Sequence, residues 1–88
     1  MEKRATAKWS KSVFVAIEFE EETAVLAIDN TREAAECLME LWPTLDTPAF
    51  HRAILICASA LDGKIDQRGA RAAFLAAAED ADILVPVH

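Results

Sequence analysis

Only a few side chains in this sequence could carry out chemistry. A catalytic nucleophile needs an acid or base within reach, and Cys37 could meet His51 only across two helices. Cys37 and Cys57 fall at apolar helical positions, where a free thiol behaves as a small hydrophobic side chain, so we expect both to be buried and reduced. His51 lies off the apolar stripe of its segment and His88 ends the sequence, which favours surface positions for both. We therefore predict that the protein is not an enzyme.

Ligand sets for metals and phosphates are equally sparse. A zinc site would have to combine Cys37, His51, Cys57 and His88, whose separations match no common zinc pattern. Residues 18–22 contain four glutamates, whose oxygens suit a divalent cation, but no calcium-binding loop surrounds them. The sequence has only two glycines, which are too few for a phosphate-cradling loop. We predict no cofactor and no metal site.

Three side chains are candidates for contact with a partner. Arg71 lies near a helix face of small alanines, where it could form an ion pair with Glu36 or Glu40, or bind a carboxylate of another protein. Trp42 and Trp9 are large rings with an N–H to satisfy, and such rings are common both at core margins and at interfaces. We expect the intramolecular ion pair for Arg71 and core-margin positions for the two tryptophans.

The charge distribution bears on which partners are possible. The formal net charge is -6 over 88 residues, yet four of the nine basic residues precede Ser12, so the remainder of the chain is strongly acidic. Nucleic-acid binding depends on a basic face, which leaves only the basic N-terminal segment for such a role, through Lys3, Arg4, Lys8 and Lys11. No apolar run is long enough to cross a membrane, and the N-terminus lacks the apolar centre of a secretory signal. We expect a cytoplasmic protein.

The first elements of the chain are predicted to be strands. Residues 1–8 have no periodicity and are expected to form a mobile tail, followed by a single α+β domain over residues 9–88. Apolar side chains alternate from Trp9 to Phe19, and β-branched residues recur from Thr23 to Ile28, which together indicate a hairpin. Because no Asn-Gly or Asp-Gly dipeptide marks the turn, we expect a loop longer than two residues.

Three helices are predicted to pack on one face of this hairpin. The first runs from an Asn30 cap to Pro43, with Leu45 continuing its apolar face. The second runs from Thr47 to the Asp62-Gly63 stop, and the third begins at an Asp66 cap. Residues 83–87 are too apolar for a free tail and are expected to form an edge strand or a strip over the core.

The whole pattern resembles a known family. The residues that carry the resemblance are the Trp9 and Val13-Phe14-Val15 strand, the Glu33-Ala34-Ala35 to Leu38 stretch ending in Trp42-Pro43, the Ala60-Leu61-Asp62-Gly63 helix end and the Ala70-Arg71-Ala72-Ala73-Phe74 helix start. In this order they resemble domain of unknown function 982, a family of small proteins mostly from rhizobia and related bacteria. Asp82 departs from the family pattern, in which glycine is usual after the last helix. The resemblance implies a fold and a bacterial cytoplasmic setting, and it implies no activity.

The absence of catalytic residues favours a non-enzymatic interaction or regulatory module. On the second helix, Leu55, Ile56 and Ala58 widen the apolar stripe beyond what a single contact needs, so this helix is either sandwiched or forms an interface, and we expect a homodimer or another protein partner. One alternative is a small-ligand-binding protein or an undetected enzyme, with a pocket lined by Trp42, Phe50 and Phe74. The other is a nucleic-acid-associated regulator that uses the basic tail.

Overall fold

The chain folds into a β-hairpin followed by three helices, as the sequence predicts for an α+β protein. The computed structural model describes residues 8–86. Its elements are β1 (Lys8–Phe19), β2 (Glu22–Asn30), α1 (Thr31–Glu40), α2 (Pro48–Leu61) and α3 (Gln67–Asp80). The predicted tail lies outside the described residues except for Lys8, which is the first residue of β1. None of the helices in this part of the chain has the length and apolarity to cross a membrane.

The two strands pair antiparallel through a turn that is tighter than the sequence predicts. Val13 lies opposite Ile28 and Phe19 lies opposite Glu22, so Glu20 and Glu21 alone connect the strands. The prediction of a longer loop is therefore wrong. Glu20 adopts a φ of 57°, in the left-handed region that costs a residue with a Cβ roughly 1–2 kcal/mol. The hairpin makes this tight turn without the glycine that normally marks it in a sequence.

The inner face of the hairpin holds the core. Val13, Val15 and Ile17 of β1 are buried on this face, as their alternation predicts. α2 packs against both α1 and α3 and buries Ala53, Cys57 and Ala60, whereas Leu55 and Ala58, which widen its apolar stripe, are exposed. The helices contribute mainly small side chains at these contacts, including Ala34, Ala53, Ala60, Ala70 and Ala77. The core is therefore one cluster between a single sheet face and three helices.

The helix caps follow the sequence signals. The Asn30 side chain accepts from the Glu33 N–H at 2.8 Å, and the Glu33 carboxylate accepts from the N–H of Asp29 at 2.9 Å. Thr47 accepts from the Phe50 N–H at 3.1 Å in the same way. α1 ends at Glu40, before the proline, so Leu45 lies beyond the helix and is 59% exposed. The prediction that Leu45 continues the apolar face is wrong because the chain leaves the helix before reaching it.

Left-handed residues end the last two helices. Gly63 has a φ of 78°, and the following Lys64 N–H donates to Ser59 C=O at 2.9 Å. Asp82 has a φ of 62°, and the Ile83 N–H donates to Ala78 C=O at 3.0 Å. Both arrangements are Schellman motifs, in which a left-handed residue lets the next N–H reach back five residues. Aspartate at position 82 therefore makes this turn without a glycine.

A chain of hydrogen bonds through Thr31 joins the hairpin to all three helices. The Trp9 indole N–H donates to the Thr31 hydroxyl at 3.1 Å, and this hydroxyl donates to the Gln67 side-chain oxygen. The Gln67 amide in turn donates to the carbonyl of Ala60 at 3.3 Å, at the end of α2. Thr31 has no exposed surface and Trp9 is buried, so the indole N–H could not replace this hydroxyl with water without opening the core.

We predict that Thr31→Val destabilises the protein by about 1–3 kcal/mol, because it leaves the buried Trp9 donor unpaired and removes the hydrogen bond to the half-buried Gln67 side chain. Valine has nearly the shape of threonine, so packing is preserved. The matched control Thr31→Ser keeps the hydroxyl and loses only a methyl group, at a cost of about 1 kcal/mol. Urea unfolding of the three proteins measures both values. Equal losses for the two variants would show that the hydrogen-bond chain contributes nothing.

Candidate functional site

The two predicted tryptophan sites lie in the core. The ring centroid of Trp9 lies 6.0 Å from that of Phe74, and the ring centroid of Trp42 lies 5.3 Å from it. Each tryptophan ring is tilted relative to the Phe74 ring. Both tryptophans are buried, which places them deeper than a core margin. Phe50 is also buried, so the three rings predicted to line a ligand pocket, Trp42, Phe50 and Phe74, belong to the packed core.

Arg71 has a different partner from the one predicted. Its Nε–H donates to the carbonyl oxygen of Lys11 on β1 at 2.9 Å. This carbonyl lies where the strand register is irregular, between Lys8 and Val13. Glu36 pairs instead with Arg32 on the same helix, with 3.8 Å between Nε and Oε2. Within residues 8–86 the expected ion pair of Arg71 is not formed, because its side of α3 faces β1.

The residues considered for catalysis do not form a site in the described part of the chain. Cys37 and Cys57 are free and buried, as predicted. Burial raises the pKa of each thiol to about 11, so neither is a thiolate near neutral pH. The His51 ring is exposed and lies beside Phe50, with 5.4 Å between ring centroids. Residues 8–86 contain no group of three or more possible metal ligands from His, Cys, Asp and Glu, and His88 lies outside them.

The outer face of the hairpin is the largest feature that the sequence analysis did not single out. The side chains that alternate with the inward-facing ones along each strand point away from the helices. They include Phe14 and Ala16 of β1 and Thr23, Val25 and Ala27 of β2. Val25 is 58% exposed, and Thr23 and Ala27 are also exposed. The described residues therefore leave a partly apolar sheet surface open beside β2, with Glu18, the register partner of Thr23, at its margin.

The C-terminal segment determines which edge of the sheet is free. The Ala16 N–H donates to Ile83 C=O at 2.8 Å, and the Val85 N–H donates to Phe14 C=O at 2.9 Å. These two bonds flank an isolated antiparallel bridge between Val15 and Leu84. The segment is thus a strip fixed to β1 by one bridge, the second of the two predicted alternatives. It occupies the backbone groups of β1 that face away from β2.

The hydrogen-bonding direction of β2 follows from this arrangement. Backbone groups of successive residues point to opposite edges of a strand, so Val13, Val15 and Ile17 direct theirs towards β2. Their register partners are Ile28, Leu26 and Ala24. The intervening residues of β2 therefore direct their N–H and C=O groups away from β1. We call the backbone of Thr23, Val25 and Ala27 the free edge of β2.

The far end of this edge is already occupied. Asp29 also directs its backbone away from β1, and its N–H donates to the Glu33 side chain at 2.9 Å. Its own side chain accepts from the hydroxyl of Ser12 on β1. Within residues 8–86, the unoccupied N–H groups of this edge are thus those of the three residues of the free edge. From Thr23 to Ile28 no side chain is charged, which is the one signal in the sequence that could have indicated this edge.

The basic residues predicted to contact nucleic acid are only partly described. Lys8 and Lys11 are exposed on β1, whereas Lys3 and Arg4 lie outside the described residues. The opposite end of β1 is acidic, because the glutamates of the turn and Glu40 line one shallow depression there. The nucleic-acid hypothesis remains a prediction.

Comparison with known proteins gives one match. A family model described as "Protein of unknown function (DUF982)" matches residues 14–85. No curated protein and no solved structure matches the chain significantly. The matched range contains both strands of the hairpin from Phe14 onward, all three helices and the bridge to the C-terminal segment.

We predict that stability falls as the pH rises from about 9 to about 11, because of the two cysteines. The unfolded thiols ionise above pH 9.0, whereas burial holds the folded pKa values at about 11. The unfolded state therefore binds fewer protons in this range, and each thiol lowers the free energy of unfolding by up to about 1.4 kcal/mol per pH unit. Urea unfolding across this range measures the slope.

The control is the double variant Cys37→Ala/Cys57→Ala. It is less stable overall because two small cavities form, but it should lose less stability per pH unit than the parent protein. Parallel pH profiles for the two proteins would contradict the prediction.

Proposed function

The chain belongs to the DUF982 family of proteins of unknown function, and from this premise we propose that it is a non-enzymatic interaction or regulatory module. It binds an extended segment of a partner protein at the free edge of β2. The added segment becomes the next strand of the sheet, so the partner is recognised mainly through its backbone. Binding of this kind is known as β-augmentation.

Support comes from the three unpaired residues of the free edge. Thr23, Val25 and Ala27 each direct one N–H and one C=O outward, and no charged side chain, proline or bulge protects them. Natural proteins normally protect an exposed edge in one of these ways. In the described part of the chain, the outward N–H of Asp29 on the same edge is occupied, and a side chain from α1 fills the site that a partner strand would use.

The energetics favour a specific but weak contact. Each edge N–H and C=O exchanges a water for a partner group, so the net gain is about 1 kcal/mol per hydrogen bond. A partner strand would also cover Val25, which is 58% exposed, and burial of its exposed apolar area contributes roughly 25 cal/mol per Å². Such a contact suits an interaction that forms and dissociates readily.

The exposed side of α2 is a second possible docking surface. Leu55 is 67% exposed, and it borders a shallow depression with Pro48, Ile56 and Arg52. A helix satisfies its own backbone hydrogen bonds, so only side chains would bind there. Single exposed apolar residues are common on soluble proteins, and this surface therefore has weaker support than the free edge.

We predict that a photoreactive p-benzoylphenylalanine at position 25 forms adducts of defined mass in the native host cells. The same probe at Ala76, which is exposed on α3, serves as the background control. A probe at Leu55 tests the surface of α2. Adducts from position 55 alone would contradict docking at the free edge.

A matched pair of variants tests whether the backbone is the binding group. Ala27→Pro removes one outward N–H without breaking the bonds to β1, since proline is tolerated at such positions of edge strands. Ala27→Ser keeps this N–H. We expect adducts at position 25 to be lost with proline and retained with serine. Equal adduct yields in both variants would exclude strand addition.

A further inference from the structure

We infer that the strand bound at the free edge is β2 of a second copy of this chain, antiparallel to the first and centred on Val25. This inference rests on the proposed function, and it names the partner of the same surface. The result is a symmetric dimer in which two hairpins form one continuous four-stranded sheet, with the helices of both copies on its inner faces.

The free edge is symmetric about its middle residue. In an antiparallel pair, two residues directly opposite each other can exchange both N–H and C=O bonds. With a two-fold axis at Val25, the two Val25 residues form one such pair, and Thr23 of either copy pairs with Ala27 of the other. Every unpaired group of both edges is then satisfied. A register shifted by two residues towards α1 would require the Asp29 N–H, which is already bound to Glu33 at 2.9 Å, and a shift towards the turn would place Ala27 opposite Glu21, which lies outside both strands.

The charges also favour a second copy. The protein has a formal net charge of -6, so two copies repel each other wherever acidic surfaces meet. Residues 23–28 carry no charge, whereas Glu22 and Asp29 flank them and Glu18 lies beside Thr23, so two acidic molecules approach with the least repulsion when the stretch is centred on Val25.

The occupied edge of β1 also explains why assembly stops at a dimer. The opposite edge of the sheet, on β1, is occupied at Phe14 and Ala16 by the C-terminal segment. Each copy thus contributes the same patch, which gives a closed two-fold interface rather than a filament. Because the edge is short, the interface is at the small end of specific contacts, and we expect dissociation on the order of micromolar or weaker.

Opposite charges at position 25 test the two-fold register. Val25→Lys and Val25→Glu each place two like charges directly across the axis, and like charges opposite each other on a sheet are destabilising. Sedimentation equilibrium in about 0.15 M NaCl, where charges more than about 8 Å apart are largely screened but charges directly across the axis are not, should show a wild-type dimer. We expect each variant alone to dimerise at least tenfold more weakly.

An equimolar mixture of the two variants should recover a heterodimer, because lysine and glutamate then face each other. An unfolded variant could not be rescued in this way, so the mixture separates loss of the interface from loss of the fold. The control Leu55→Lys changes an exposed residue of α2 and should leave the dimer intact. A wild-type monomer at every concentration, undiminished dimerisation of the position 25 variants, or no recovery in the mixture would each overturn the inference.

The inference and the proposed function can fail separately. A wild-type monomer whose position 25 probe forms adducts with a different protein, sensitive to Ala27→Pro, would retain docking at the free edge and exclude the second copy as its occupant. A monomer whose probe forms no adduct would remove both.

Discussion

The pairing of β1 on both of its edges is the constraint on which the surface of this protein depends. β2 hydrogen-bonds to one edge, and the segment from Ile83 to Val85 occupies part of the other. Because successive residues of a strand point their backbone groups in opposite directions, this double pairing fixes which groups of β2 face outward. The register with β1 therefore defines the free edge, and the segment from Ile83 to Val85 covers part of the opposite edge of the sheet.

The core explains why the hairpin can leave a face uncovered. A two-stranded hairpin is marginal by itself, and here three helices cover only its inner face. Close packing of alanines on these helices brings them near the sheet, and the Thr31 hydrogen-bond chain joins β1, α1, α2 and α3 at one buried hydroxyl. The aromatic cluster and the Thr31 hydrogen bonds lie on the helix side. The outer face can thus be exposed without loss of the fold.

The sequence predicted the elements better than the surface. Alternation identified both strands, and Asn30, Thr47, Asp66 and Gly63 marked helix ends correctly because capping depends on local side chains. The two-residue turn at Glu20 was missed because this residue adopts a left-handed conformation without the usual glycine signal. Arg71 was assigned a carboxylate partner because its contact with the Lys11 carbonyl depends on long-range packing. The free edge was missed for a similar reason, since alternation reveals side-chain faces but gives no hydrogen-bonding direction without a partner strand.

Amide hydrogen exchange along β2, measured by NMR at a series of protein concentrations, tests the central claim most directly. In dilute protein, the amides of Ala24, Leu26 and Ile28 should exchange slowly because they bond to β1, and those of Thr23, Val25 and Ala27 should exchange quickly. As the concentration rises, the second set should gain protection while the first stays unchanged. Rapid exchange of Thr23, Val25 and Ala27 at every concentration would contradict self-association through this edge, and their slow exchange in the dilute monomer would contradict the free edge itself.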